Sequence, residues 1–245
     1  MSSIVKHHSK VYFTFGRFQP PTIGHKVLID KLAELAQSEG ADAFVFVSSK
    51  QNDMDKYKRT RAYRDMKISG HFISTDLNEN PLPVGTKVEI LRKMYPSSGV
   101  TFIDTTVEGC PQLFNVVDAL RSAGYGDITM GVGSDRVSTF EKVFKDTLKV
   151  ISLGERTVNA ANMSAKAMSG TKMREAAVSG NKEAFLSGVL TGDMTREDGL
   201  RLMNMIRVSL EYDAIAEGGK TRRIRIKHRR RPKTYKLRDD EKFEI

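Results

Sequence analysis

The chain is predicted to be an α/β protein, a Rossmann-like parallel sheet with flanking helices, and three observations predict it. Short apolar runs rich in β-branched and aromatic residues (VYFTF, AFVFV, VTFID, ITMGVG and KVISL) recur along the first 153 residues. Helical patterns separate them, and strands alternating with helices of this length make βαβ units. The runs are apolar at nearly every position, as expected for strands covered on both faces.

Taken in order, residues 11–15 are the first strand. IGHKVLIDKLAELAQSEG follows, placing Val27, Leu28, Leu32, Leu35 and Ala36 on one helical stripe, with Gly40 as its stop. Residues 43–47 are the second strand. The span 48–86 is polar, charged and irregular, with Asn80-Pro81-Leu82-Pro83 near its end; helices are expected inside it without definable boundaries. KVEILRKMYP reads as a short amphipathic helix closed by Pro96. Residues 100–104 form a third strand, 113–124 a helix, 128–133 a fourth strand and 149–153 a fifth. After a loop to Met163, SAKAMSGTKMREAAVSGN leads into another helix. Residues 194–217 read as a long amphipathic helix, capped by Thr195 or Asp193 and ended by Gly218-Gly219. The expected organisation is an α/β domain over 1–193, a C-terminal helix over 194–217 and a basic tail over 218–245.

A chain of 245 residues with 39% apolar content suits one large domain with an appendage. No apolar run approaches the roughly 18 residues of a membrane span, and MSSIVKHHSK lacks the apolar stretch of a secretory signal. The expectation is a cytoplasmic protein with no membrane partner. Cys110 is the single cysteine, read as structural, and no Cys/His cluster has metal-ligand spacing. The net charge of +10 is local. KTRRIRIKHRRRPKTYKLR, residues 220–238, carries eleven Lys/Arg and no acid, so the remainder of the chain sums to −1.

Two turns carry chemistry. GRFQPPTIGH, residues 16–25, lies between the first strand and its helix. Amides in a first helical turn lack intrahelical partners and, with the helix dipole, favour a phosphate. Gly16 and Gly24 admit close backbone approach, Pro20 and Pro21 stiffen the turn, and Arg17 can fork onto phosphate oxygens. His25 presents a donor beside that anion, and Phe18 is taken with the ligand-binding residues of the same turn. The second turn, SGTKMR, residues 169–174, has Ser169 as a natural N-cap, Thr171 in the first turn and Arg174 folding back toward the N-terminus. GVGSD, residues 131–135, with Gly131 and Asp135, and SSK, ending in Lys50, follow two other strands. A parallel sheet binds ligands at these carboxyl ends, near the point where strand order reverses.

GRFQPPTIGH resembles the (H/T)xGH motif of the nucleotidylyltransferase superfamily, and SGTKMR its ISxTxxR motif, with Met168 at the first position. The resemblance covers roughly residues 10–190. It implies a Rossmann-like enzyme that transfers a nucleotidyl group from a nucleoside triphosphate, accompanied by Mg²⁺, to a small phosphorylated acceptor, releasing pyrophosphate. It implies that His25, Thr22 and Arg174 are catalytic, His25 touching the α-phosphate and Ser169, Thr171 and Arg174 holding the β- and γ-phosphates. Arg17 and Lys50 are further phosphate candidates, and Asp135 resembles an acidic position that contacts nucleotide or acceptor. GRFQPP is most similar to nicotinamide-mononucleotide adenylyltransferases, which implies ATP as co-substrate. The second motif departs from the RTxGxSTT of the cytidylyl branch, and no Nudix box is present.

Two alternatives stand beside this reading: a cytidylyltransferase acting on a polyol or choline phosphate, and a non-catalytic structural or nucleic-acid-binding protein that keeps the fold. The tail suits nucleic acid or an acidic protein. Its look is similar to that of small basic-tailed members from bacteriophages, which would put the protein in host cytoplasm or virion. A homo-oligomer is left open.

Overall fold

The computed structural model describes residues 4–51, 80–154, 168–210 and 212–215. Five parallel strands form the sheet: β1 (Lys10–Gly16), β2 (Asp42–Val47), β3 (Thr101–Asp104), β4 (Asp127–Val132) and β5 (Lys149–Ser152). Their order is β3-β2-β1-β4-β5. The chain winds outward from β1 in both directions, so strand order reverses between β1 and β4. All five expected strands are present, each within a residue of its predicted bounds at either end.

The described helices are α1 (Lys26–Ser38), α2 (Val84–Met94), α3 (Leu113–Ser122), α4 (Val137–Phe144), α5 (Gly170–Ser179), α6 (Lys182–Ser187) and α7 (Arg196–Ser209). They cover both faces of the sheet. On one face Tyr12, Val45 and Val47 meet Ile29 and Leu32 of α1, Leu91 of α2 and Met203 of α7. On the other, Val11, Phe13, Phe44 and Phe46 meet Val116 and Leu120 of α3 and Phe144 of α4. Alternate residues of β1 and β2 thus enter opposite cores, which is why those runs are apolar throughout.

Two expectations are corrected. On α1 the fully buried positions are Ile29, Leu32 and Ala36, whereas Val27 is 49% exposed. Leu28 and Leu35 of the expected stripe are partly buried and pack at the edge of the same core, so the face is centred on Ile29, Leu32 and Ala36. The last helix is shorter than 194–217. It starts with Thr195 as N-cap, as expected, but ends at Ser209. There the chain folds back: Arg207 Nε donates to the Asp213 carbonyl, and Asn204 pairs through its amide with both N–H and C=O of Ile215. Residues 52–79, Met163 and the basic tail lie outside the described residues.

The register opens the sheet where it matters. β1 stays paired with β2 as far as Gly16 and Val47. It is paired with β4 only as far as Phe13 and Met130. From Thr14 onward β1 and β4 part, and the crevice lies at the carboxyl ends on either side of the strand-order reversal.

Candidate active site

The first turn leaves β1 at this crevice. Gly16 is required by packing, since a Cβ there would lie 2.6 Å from the Phe18 ring. Phe18 is 5% exposed and holds a left-handed φ of 47°. Its ring lies 4.8 Å from that of His25. Phe18, expected among the ligand-binding residues of this turn, lies buried against the imidazole.

Thr22 is 1% exposed and sets the chemistry of His25 through its backbone. The Thr22 N–H donates to His25 Nδ1 at 2.9 Å. An imidazole nitrogen that accepts a hydrogen bond carries no proton, so the neutral ring has its proton on Nε2. The ring therefore offers Nε2–H as a donor. The Thr22 carbonyl accepts from the Tyr95 hydroxyl at 2.6 Å and from the His25 N–H at 3.0 Å. Burial pushes the Tyr95 phenol far above its ordinary range, with Asp30 adding to the rise, so Tyr95 stays a donor. Tyr95 carries no motif signal in the sequence.

The second turn comes against the first. Ser169 caps α5, its Oγ accepting from the Lys172 N–H at 3.3 Å. Arg174, one turn in, is 4% exposed. Its Nη1 donates to the Gln19 carbonyl at 2.5 Å and its Nη2 to Thr171 Oγ1 at 3.3 Å. Its Nε is buried without a hydrogen-bond partner among the described residues. Burial, then the charge of Arg17, push the guanidinium down to about 10. It remains a cation at neutral pH. Two arginines close enough to repel, one of them buried with an open donor, make a site that an anion would stabilise.

Gln19 joins the turns to a third segment. Its side-chain amide donates to the Leu82 carbonyl at 2.8 Å and its Oε1 accepts from the Leu82 N–H at 3.0 Å. The Ile23 N–H donates to the Gly188 carbonyl at 2.9 Å, tying the same turn to the end of α6.

The remaining expected residues divide. Arg17 is exposed beside Arg174, and Gly24 is half-buried within the 3₁₀ turn. Lys50 is exposed at the end of β2, its N–H donating to Ser48 Oγ. Asp135 is exposed in the 3₁₀ turn Ser134–Arg136 after β4. Gly131 has a packing explanation, because a Cβ there would lie 2.4 Å from Leu153.

Lys87 belongs to neither motif. It is fully buried, and its Nζ donates to the Arg17 carbonyl at 3.0 Å and to the Ser48 carbonyl at 2.5 Å. A signal existed: Lys87 stands in helical phase with Ile90, Leu91 and Met94, the buried stripe of α2. A lysine on an apolar stripe needs an internal partner.

The imidazole and the buried arginine are carried by two helix starts that meet at one parallel-sheet crevice, and the family match assigns the chain to the nucleotidyltransferases. The chain belongs to the cytidylyltransferase-like family, whose model matches residues 13–176. Among solved structures it is similar to Plasmodium falciparum nicotinic acid mononucleotide adenylyltransferase complexed with NaAD, at 10% identity, covering 69% of this chain and 84% of that one. The TM-score is 0.37. The comparison with curated proteins returned no match. Among the described residues no helix is long and apolar enough to cross a membrane.

Proposed function

We propose that the protein transfers AMP from MgATP to nicotinamide mononucleotide, giving NAD and pyrophosphate. The observation that carries the reading is the bond between the turns: Arg174 of the second motif donates to Gln19 of the first. The imidazole and the guanidinium thereby serve one groove. GRFQPP supports the choice of acceptor, and SGTKMR, unlike the cytidylyl pattern, supports ATP.

In this reading the acceptor's phosphate oxygen attacks the α-phosphorus in line. The new P–O bond forms as the bond to the bridging α,β-oxygen breaks, and its electron pair leaves with pyrophosphate. No protein atom becomes covalently attached, so the residues act by positioning and charge. His25 Nε2–H donates to an α-phosphate oxygen as charge accumulates there. Arg174, Arg17, the Ser169 and Thr171 hydroxyls and the open amides of α5 hold the β- and γ-phosphates, with Lys50 reaching from β2. Gly131 and Asp135 border the nucleotide or acceptor at the end of β4. Mg²⁺ carried by the triphosphate would neutralise part of its charge, and such an ion keeps several waters and needs few protein ligands. No cluster of three or more potential metal ligands occurs among the described residues.

The test is incubation with ATP or CTP and a mixture of acceptor phosphates, read by mass spectrometry. NAD from ATP and nicotinamide mononucleotide is expected. A cytidylylated polyol or choline phosphate would establish the cytidylyl alternative instead, and no product from any pair would leave the fold as a binding protein. Deletion of 219–245 is expected to preserve turnover and to remove nucleic-acid binding, which in the full chain should weaken steeply with salt.

A further inference from the structure

Lys87 has no place in the chemistry just described, yet its position is unusual. A methionine would continue the apolar stripe of α2, but it would leave the two carbonyls that Lys87 holds without that donor. Burial does press on this ammonium, pushing it down to about 8, with Asp104 at the end of β3 acting in the opposite direction. The cation acts here as a donor to backbone rather than as a packing group.

Its two bonds say what for. The ladder between β1 and β2 closes with the Ser48 N–H donating to the Gly16 carbonyl at 2.8 Å. Past that bond neither chain continues as strand. The next carbonyl on the first chain is Arg17, and on the second Ser48, and Lys87 takes both. Arg17 stands two residues before Gln19, whose carbonyl accepts from Arg174 Nη1 at 2.5 Å. The backbone from which Arg17 reaches the anion site is therefore anchored from below by one buried ammonium.

We infer that Lys87 is a positioning residue for triphosphate binding: by bonding the Arg17 and Ser48 carbonyls together, it fixes the strand ends from which Arg17 addresses the phosphates. The inference rests on the nucleotidyl-transfer reading. It differs from a role in folding by its signature. Loss of positioning weakens ground-state and transition-state contacts to the triphosphate alike, raising KM for ATP with little effect on kcat. Loss of fold lowers the active fraction and the melting temperature and leaves KM for ATP where it was.

The experiment compares the full-length protein with K87M, R17A and the double variant. KM for ATP and for nicotinamide mononucleotide, kcat, melting temperature and calorimetric binding of inorganic tripolyphosphate are measured for each. K87M is expected to raise KM for ATP and weaken tripolyphosphate binding about tenfold, the scale of one lost charge-assisted contact, with kcat and the acceptor KM little changed. Adding K87M to R17A is expected to have little further effect, because one residue acts through the other. Unchanged tripolyphosphate binding in K87M, or full additivity with R17A, overturns the inference while leaving the enzymatic reading intact. Wild-type protein that binds tripolyphosphate but turns over no nucleotide fails the reading, not the anchor. If K87M does not fold, the wild type decides. With Asp104 the charge acting on it, Lys87 is protonated below about pH 8 and loses its charge above it, so KM for ATP is expected to rise across that pH. A flat profile from pH 7 to 9.5 would count against it.

Discussion

A Cβ placed on Gly170 would lie 2.7 Å from the carbonyl oxygen of Gln19. The start of α5 and the turn after β1 touch, backbone to backbone, although 151 positions separate them in sequence. Neither atom can swing aside as a side-chain tip could. Gln19 is held by Leu82 and Arg174, and Gly170 opens a helix capped by Ser169.

G170A is therefore expected to push the two turns apart. Overpacking of this kind costs about 1–3 kcal/mol and should lower the melting temperature by roughly 3–10 °C. KM for the triphosphate should rise with it. G126A is the comparison, since a Cβ at Gly126 meets nothing within 4 Å; it should stay within about 0.5 kcal/mol of wild type. Equal melting temperatures for the two variants would mean that the turns do not touch.

H25A is expected to cut kcat at least ~100-fold, as loss of a transition-state donor does. The melting temperature should fall as well, because H25A leaves the buried Thr22 N–H without its acceptor, a loss of about 1–3 kcal/mol, so kcat is taken per folded molecule. Turnover like that of wild type would remove the imidazole from the mechanism.

The third prediction concerns acid stability. Asp198 accepts from Lys93 Nζ at 2.8 Å, from Thr195 Oγ1 at 2.9 Å and from the Thr195 N–H at 3.2 Å. These bonds, that of Lys93 first, hold its carboxyl down at about 2. A carboxylate whose folded pKa lies below its unfolded value stabilises the fold above the unfolded value, ~3.9, and loses that contribution as pH falls toward the folded one. Urea midpoints from pH 6 to pH 2 should therefore fall less steeply in D198N than in wild type below about pH 4. At neutral pH the substitution should cost no more than about 1 kcal/mol, because the Lys93 side chain is 37% exposed and partly screened. Parallel acid limbs would show that Asp198 does not carry the effect.

What the sequence determined by itself was local or periodic. Apolar runs of strand length announced β1 to β5, because both faces of each central strand are covered by helices. Thr22 with His25, and Ser169 with Arg174, were legible because helix-start chemistry is written within a few adjacent residues. Tertiary structure decided whatever depends on distance across the fold. It packed Phe18 against the imidazole and Gly131 against Leu153. It turned the core face of α1 from Val27 to Ile29, and ended α7 where Arg207 and Asn204 draw the chain back. Above all it made a clamp of Lys87. A lysine's charge is visible in any sequence, but the carbonyls that accept from it, Arg17 and Ser48, belong to backbone that only the parallel pairing of β1 and β2 brings together.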